Sequence, residues 1–493
     1  MINLVWLKRD LRLTDHKPLY QATREDLPVI LLYVQEPGYW QLADTSARHW
    51  QFIIQSLRDI NRQLSDQHTG IWIAQSDILV CLEQLHRQYQ ISCIFSHEET
   101  GNQWTYDRDK QVQRWCNRNQ ISWRQCPQFA VKRGPLNRDN WDKFWQQQMS
   151  APMVPAADLA KLMPPVAEYQ QLPPDYPGDD RLFCRSPQTG GRSAAERVLE
   201  SFLQRRQHRY LQSVSSPVNG PEFSSRLSPY LAYGCLSMKE IVQASVNRLA
   251  QCQQSQALRA FKSRLHWHCH FIQKLEAEPE YEHHAVHRDL LPLRSQSFDA
   301  SLFEAWCKGR TGIPFIDACM TMLIATGWLP FRMRAMLMAF SSYHLWLPWQ
   351  RPAAWLAQLF TDYEPGIHYP QVQMQSGTTG INPFRIYNPV KQGQRFDADG
   401  HFIRRWLPQL RQLNSAYIHQ PWLCPDFNSL DYPEPVVDVD AAARQARETL
   451  FKFYRELVSA TETQRIVNRH ASRRYRRRSK AEQTITSNQL SLF

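Results

Sequence analysis

No apolar run in this chain approaches the roughly 18 residues that a membrane-spanning helix needs. The first twelve residues reach Lys8, Arg9 and Asp10 before a signal-peptide core can form, so the default expectation is a cytoplasmic protein with no membrane partner. The 11 cysteines run from Cys81 to Cys424 with no CxxC pair and an odd total. That gives a four-cysteine zinc or iron–sulfur site nothing to start from; reduced, mostly buried thiols are expected. No GxGxxG follows the first apolar run, where Leu7-Lys8-Arg9-Asp10-Leu11-Arg12 stands instead, so nicotinamide chemistry loses its support.

What is present is a long, basic chain. Its 493 residues carry 58 Lys plus Arg against 46 Asp plus Glu, a formal charge of +12, with 43 % hydrophobic and 12 % aromatic residues. At about 100–200 residues per domain this suggests two to four domains with large cores. The positive balance suits a polyanionic partner, and equally suits plain solubility.

Short apolar runs alternate with helical patterns up to about residue 126. The runs lie at residues 3–6, 29–34, 71–74, 91–95 and 121–123, with amphipathic stretches at 47–64 and 76–89 between them. This predicts a five-stranded parallel sheet with crossover helices on both faces, whose ligands sit outside the carboxyl ends of the strands. Residues 151–190 then hold eight of the 31 prolines, which neither a helix nor a central strand can continue through, so an extended connection and a domain boundary are expected there. From 192 to about 457 the periodicity is helical throughout. The expected division is an α/β domain over 1–130, a linker over 131–191, a helical domain over 192–460 and a basic tail over 461–493. The tail carries Arg465, Arg469, Arg473, Arg474, Arg476, Arg477, Arg478 and Lys480, a cluster that can neutralise phosphates or simply be solvated.

Two segments have a recognisable character: Ser224-Ser225-Arg226-Leu227-Ser228-Pro229-Tyr230-Leu231-Ala232-Tyr233-Gly234, and Gly309-Arg310-Thr311-Gly312-Ile313-Pro314 running on to Gly327-Trp328. With Val5 to Arg12 near the start, and with 384–389 and 402–408 later, they resemble the photolyase/cryptochrome flavoprotein family in order and spacing over residues 2 to about 457. The resemblance implies a Rossmann-like α/β antenna domain, a long linker and an all-helical FAD-binding domain. It implies light-driven repair of pyrimidine lesions in DNA, or else blue-light reception with a protein partner. Nothing fixes the oligomeric state, a monomer being the default.

Physically, Ser224, Ser225 and Ser228 offer hydroxyls and, with Arg226 and Leu227, backbone N–H groups just before an apolar helix, which is how a diphosphate is held; alone they read as an N-cap. The resemblance assigns this stretch to the FAD diphosphate and adds Tyr210 at a less regular spacing. It sets Arg334 and Asp362 against the flavin as a pair, Glu364 near the ribityl and adenosine part, and His368 opposite the reactive flavin nitrogen. A histidine there, with an ordinary pKa of about 6.5, can carry or release a proton.

Several positions depart from the repair enzymes. Trp267 matches the tryptophan that stacks on the flipped-out lesion, but Arg264 stands where that family has a glutamate, Phe331 where it has an asparagine and Ala335 where it has a methionine. Arg332 can still meet a phosphate or base. Of three relay tryptophans only Trp349 matches, Gln296 and Val372 holding the outer and inner positions; other electron routes would use Trp328, Trp346, Trp355, Tyr343 or Tyr369. His266 and His270 share a helix face, but without HExxH or a third ligand no metal is expected. A second chromophore (folate, deazaflavin or flavin) would lie near Glu98-Glu99-Thr100-Gly101-Asn102, a loop whose carboxylates can bind a pterin edge or nothing.

Overall fold

The computed structural model describes residues 1–134, 140–171, 184–252 and 255–470. Strands β1 (Ile2–Leu7), β2 (Val29–Gln35), β3 (Trp72–Gln75), β4 (Ile91–His97) and β5 (Ser122–Cys126) form one parallel sheet in the order β3-β2-β1-β4-β5. Every residue of β1 and β2 is buried, as a parallel sheet covered on both faces requires. Side chains alternate across it. Leu4, Trp6, Ile30, Leu32 and Ile94 join a core under helices α3 (Ile78–Tyr89) and α4 (Gln103–Arg118). Val5, Leu7, Leu31 and Tyr33 face the other way, toward α1 (Lys17–Arg24) and α2 (Ala47–Leu64).

That second core does not stop at the sheet. It continues through Trp50, Phe52 and Leu57 of α2 into Phe202 of α5 (Arg192–Gln204), Ile241 of α6 (Met238–Gln251), and Phe261, Leu265 and Ile272 of α7 (Gln256–Ala277). A second helical core gathers α8 (Pro314–Thr326), α9 (Phe331–Ala339), α10 (Gln350–Leu359) and α11 (Pro365–Ser376). The described residues end with α12 (Val439–Leu457) and α13 (Ala460–His470).

Three local readings need correction. The helical periodicity expected throughout 192–457 breaks at Ala339, where α9 passes into one π-turn, Phe340–His344, and the Leu345 N–H reaches back to Phe340 O at 3.1 Å. The described part of the proline-rich connection packs on the sheet, with Met163 N donating to Val29 O (2.8 Å) and Trp72 Nε1 to Met163 O (3.0 Å); Pro173, Pro174 and Pro177 lie outside the described residues. Of the basic tail, Arg465 pairs with Glu278 (3.3 Å) and Glu462 (2.7 Å), and Arg469 with Glu278 (3.3 Å), so these two cations close α13 onto the end of α7. The cluster from Arg473 to Lys480 lies outside the described residues. All 11 cysteines are free, nine of them buried.

The segment after β1 welds the two halves together. Arg9 donates to Ala232 O (2.9 Å) and Tyr363 O (2.6 Å) and pairs with Glu364 (3.4 Å). Arg12 donates to Gly234 O at 2.9 Å. Gly234 sits at φ +64°, and a Cβ there would fall 2.4 Å from Arg9 O, so only glycine lets the two backbones touch. From α2, Arg48 donates to Leu359 O (2.9 Å) and His49 Nε2 to Phe360 O (3.0 Å). No helix among the described residues is long and apolar enough to cross a membrane.

Candidate cofactor site and its rim

The serine segment 224–228 is a turn ordered from outside. The Arg206 guanidinium donates to Val198 O (2.8 Å), Glu222 O (3.2 Å), Ser225 O (3.4 Å) and Ser224 O. Because a trans peptide is planar, carbonyls drawn to Arg206 send the N–H groups of Ser225 and Arg226 to the opposite side. Arg226 then takes φ +59°, and Ser228 opens the short helix Ser228–Ala232, with Leu227 as its cap residue. The Ser224 hydroxyl does not join the set of donors, since it is committed to Gly220 O at 2.5 Å. Arg226 lies over the Trp328 ring at 4.1 Å, and burial lowers its pKa to about 10. Two oriented amides beside a desolvated guanidinium make a seat for an anion.

Facing this turn, Arg334 of α9 grips Asp362 with two parallel bonds of 2.8 and 2.9 Å while its Nε donates to Leu329 O at 2.8 Å. Its guanidinium covers the Phe360 ring at 4.2 Å. Burial pushes the Asp362 carboxyl up, but Arg334, the Ser228 hydroxyl and Arg226 outweigh it and hold the group below the usual carboxylate range. The expected pair is therefore formed, and it is tied to the serine turn through Ser228. Glu364 caps α11 by accepting from Gly366 N (3.4 Å); burial raises its carboxyl even with Arg9 beside it.

His368 donates from Nε2 to Ala353 O at 2.9 Å and meets the edges of Phe360, Tyr363 and Tyr369. Burial lowers its pKa to about 4, so it is a neutral ring with Nδ1 as acceptor rather than a group titrating near 6.5. Tyr210 is buried between Phe202 and Phe261, in the core beneath the site.

On α7, exposed Arg264 and half-buried Trp267 stand one turn apart; Trp267 packs on His270 and Phe271. One turn before Arg334, Phe331 is 45 % exposed. Arg332 lies over Phe396 at 5.5 Å with its Nε unpartnered. Ala335 is buried, as are Trp328, Tyr343, Trp349, Tyr369 and Val372, while Trp346 and Trp355 are half-buried and Gln296 is exposed.

His266 pairs with Asp142 (3.0 Å) between Trp141 and Trp145, which accounts for it without a metal. Among the described residues the group with metal-ligand spacing is Asp10, His16 and His97, at the carboxyl ends of the adjacent strands β1 and β4. There Asp10 Oδ2 accepts from His16 Nε2 (3.0 Å) and His97 Nδ1 (2.7 Å), and His16 Nδ1 accepts from Leu19 N (3.1 Å). With Nδ1 already an acceptor, Nε2 must carry the proton, so the trio is a closed hydrogen-bonded set and not a metal site. In the 98–102 loop, Glu99 is held by Arg108 (2.5 Å), and Asn102 caps α4 and reaches Asp44 (3.3 Å), leaving Glu98.

A parallel sheet joined to a helical body through a buried clasp, with oriented amides and a guanidinium beside a bidentate Arg–Asp pair, defines a protein of the α/β-plus-helical class. The sequence matches the DNA photolyase family over residues 3–131 and the FAD binding domain of DNA photolyase over 261–452. It is 27 % identical over 485 residues to a deoxyribodipyrimidine photo-lyase of Vibrio cholerae, covering 92 % of this chain and 99 % of the relative. It is 26 % identical over 488 residues to a cryptochrome DASH of Gloeobacter violaceus, covering 90 % and 95 %. In fold it is similar to a class III photolyase from Agrobacterium tumefaciens, with a TM-score of 0.79 at 23 % identity over 92 % of this chain and 98 % of that one. The chain belongs to the photolyase/cryptochrome family.

Arg206 and Asp44 escaped the sequence reading. Neither lies in a motif, and an arginine that meets carbonyls and one hydroxyl, with no carboxylate partner, leaves no charge pattern along the chain.

Proposed function

We propose that this protein binds FAD and, in blue or near-ultraviolet light, repairs pyrimidine lesions in DNA by electron transfer from the reduced flavin. The observation that carries the reading is the Arg334–Asp362 pair joined through Ser228 to the 224–228 turn. The residues fit the cofactor: Ser225 and Arg226 present amides and a cation to the diphosphate, and the pair offers a donor and an acceptor edge to the isoalloxazine. Glu364 takes the ribityl and adenosine side. The flavin, when bound, supplies the light absorption and the one-electron chemistry. Trp267 stacks on the extruded base while Arg332 and Arg264 meet phosphate or base. A second chromophore would meet Glu98, the loop carboxylate that Arg108 does not hold.

A second reading is a blue-light photoreceptor with a protein partner. It is favoured by one observation, the exposed cation Arg264 and exposed Phe331 at the lesion-facing rim. The deciding experiment illuminates anaerobically reduced protein with an oligonucleotide carrying one thymine dimer and quantifies restored thymine against a dark control. Light-dependent restoration with multiple turnovers is expected; none, from protein holding reduced FAD, rejects dimer repair.

A further inference from the structure

Asp44 comes from the first half of the chain, just before α2, and is buried against the helical half. Its Oδ2 accepts the phenolic O–H of Tyr363 at 2.5 Å and of Tyr369 at 3.4 Å, with the Asn102 amide at 3.3 Å. Both tyrosines are buried, and the His368 ring stands beside them with centroids 5.4 Å from Tyr363 and 5.3 Å from Tyr369. Tyr363 also stacks on His49, centroids 5.8 Å apart. Burial, and after it the charge of Asp44, push both phenols well above their ordinary pKa, so they are neutral donors and the carboxylate is the acceptor.

A buried carboxylate is a costly way to hold two loops together, because an amide would accept the same hydrogen bonds without bringing a charge out of water. What the carboxylate adds is basicity at hydrogen-bond distance from a phenolic proton. A phenol loses an electron readily only when that proton has somewhere to go. Tyr363 directly follows Asp362, which Arg334 holds in the candidate flavin site, while Gln296 and Val372 are side chains that do not relay electrons.

We propose that Tyr363, with Asp44 as its proton acceptor, is an electron donor to the light-excited oxidised flavin. This rests on the FAD reading above. In the step, Tyr363 gives one electron to the flavin and its phenolic proton to Asp44, leaving a neutral tyrosyl radical and a protonated carboxyl. A thiolate in solution then gives one electron to the radical and itself becomes a thiyl radical, and the proton moves back from Asp44 to the phenolic oxygen. Tyr369, hydrogen-bonded to the same oxygen atom, is the neighbouring phenol of the pair.

The test uses the FAD-loaded full chain, flashed with blue light in the presence of dithiothreitol and read by electron paramagnetic resonance. The parent is expected to give a tyrosyl signal. Tyr363→Phe should lower it at least tenfold with FAD content unchanged. Asp44→Asn keeps an acceptor for the hydrogen bond but removes the base, and should lower the signal to a similar degree. A tyrosyl signal that survives in Tyr363→Phe, or a tryptophan radical in the parent, overturns the donor. A full signal in Asp44→Asn overturns the proton acceptor, and that variant carries the test if Tyr363→Phe does not fold. Protein that takes up no FAD, seen in its absorbance before any flash, rejects the FAD reading itself and this inference with it.

Discussion

Replacing Arg9 by Met keeps most of the side-chain stem and removes the guanidinium that joins the two halves. Two carbonyls, Ala232 O and Tyr363 O, lose their donor, and Glu364 is left buried without its cation. The charge part has a ceiling. A stranded carboxylate can take a proton at pH 7, and from an ordinary pKa of about 4.3, at about 1.36 kcal/mol per unit, that costs roughly 3.7 kcal/mol. The two carbonyl bonds add about 1 kcal/mol each, so the loss has a ceiling of about 6 kcal/mol, against about 3–5 kcal/mol for breaking a buried ion pair.

The sign with pH follows. In the variant the folded-state pKa of Glu364 is raised further above its unfolded value, so the penalty is fully present at neutral pH and shrinks as pH falls. At pH 5 the charge part drops to roughly 1 kcal/mol. Urea unfolding followed by tryptophan fluorescence, compared with the parent at pH 7 and pH 5, reads both values. The double variant Arg9→Met with Glu364→Gln should recover most of the charge part and lose only about 2 kcal/mol. A single-variant loss below about 1 kcal/mol at pH 7, or one that does not change with pH, would refute the clasp.

Replacing Ser224 and Ser225 together by Leu crowds the turn that Arg206 holds, and the purified protein should lose its yellow colour; full flavin content would remove the diphosphate assignment. Trp267→Ala should weaken binding of dimer-containing DNA about tenfold, since stacking on one base is worth about 1–3 kcal/mol, and unchanged affinity in a fluorescence-anisotropy titration would show that the ring does not stack. His368, lowered to about 4 by burial, contributes stability that is present above its unfolded pKa of about 6.5 and is lost as pH falls toward 4. His368→Gln should flatten the acid limb of the stability curve in that window; an unchanged slope, or a ring titrating near 6.5 by NMR, would contradict the neutral assignment.

Much of this protein was written along the chain. The apolar runs and the amphipathic stretches placed the five strands and the helices at 47–64 and 76–89 within a few residues, because side-chain periodicity is a local property of backbone geometry. The motifs around Ser224 and Arg334 located the candidate cofactor site for a similar reason, their chemistry being carried by residue type at short spacing. Where a neighbouring signal was absent the reading slipped. Nothing local announced the π-turn after Ala339, and Glu99, Ser224 and His266 turned out to be engaged by Arg108, Gly220 O and Asp142.

Only tertiary structure decided which buried polar group meets which. Asp44 and Tyr363 are 319 positions apart in the chain, and Arg9 and Tyr363 are 354 apart, separations over which no periodicity speaks. A buried charge must find a partner, but sequence does not say which, since the choice is made when the sheet and the helical half close on a shared core. That closure turned the segment from Arg9 to Arg12 into a weld and set a carboxylate against two phenols beside the candidate flavin site.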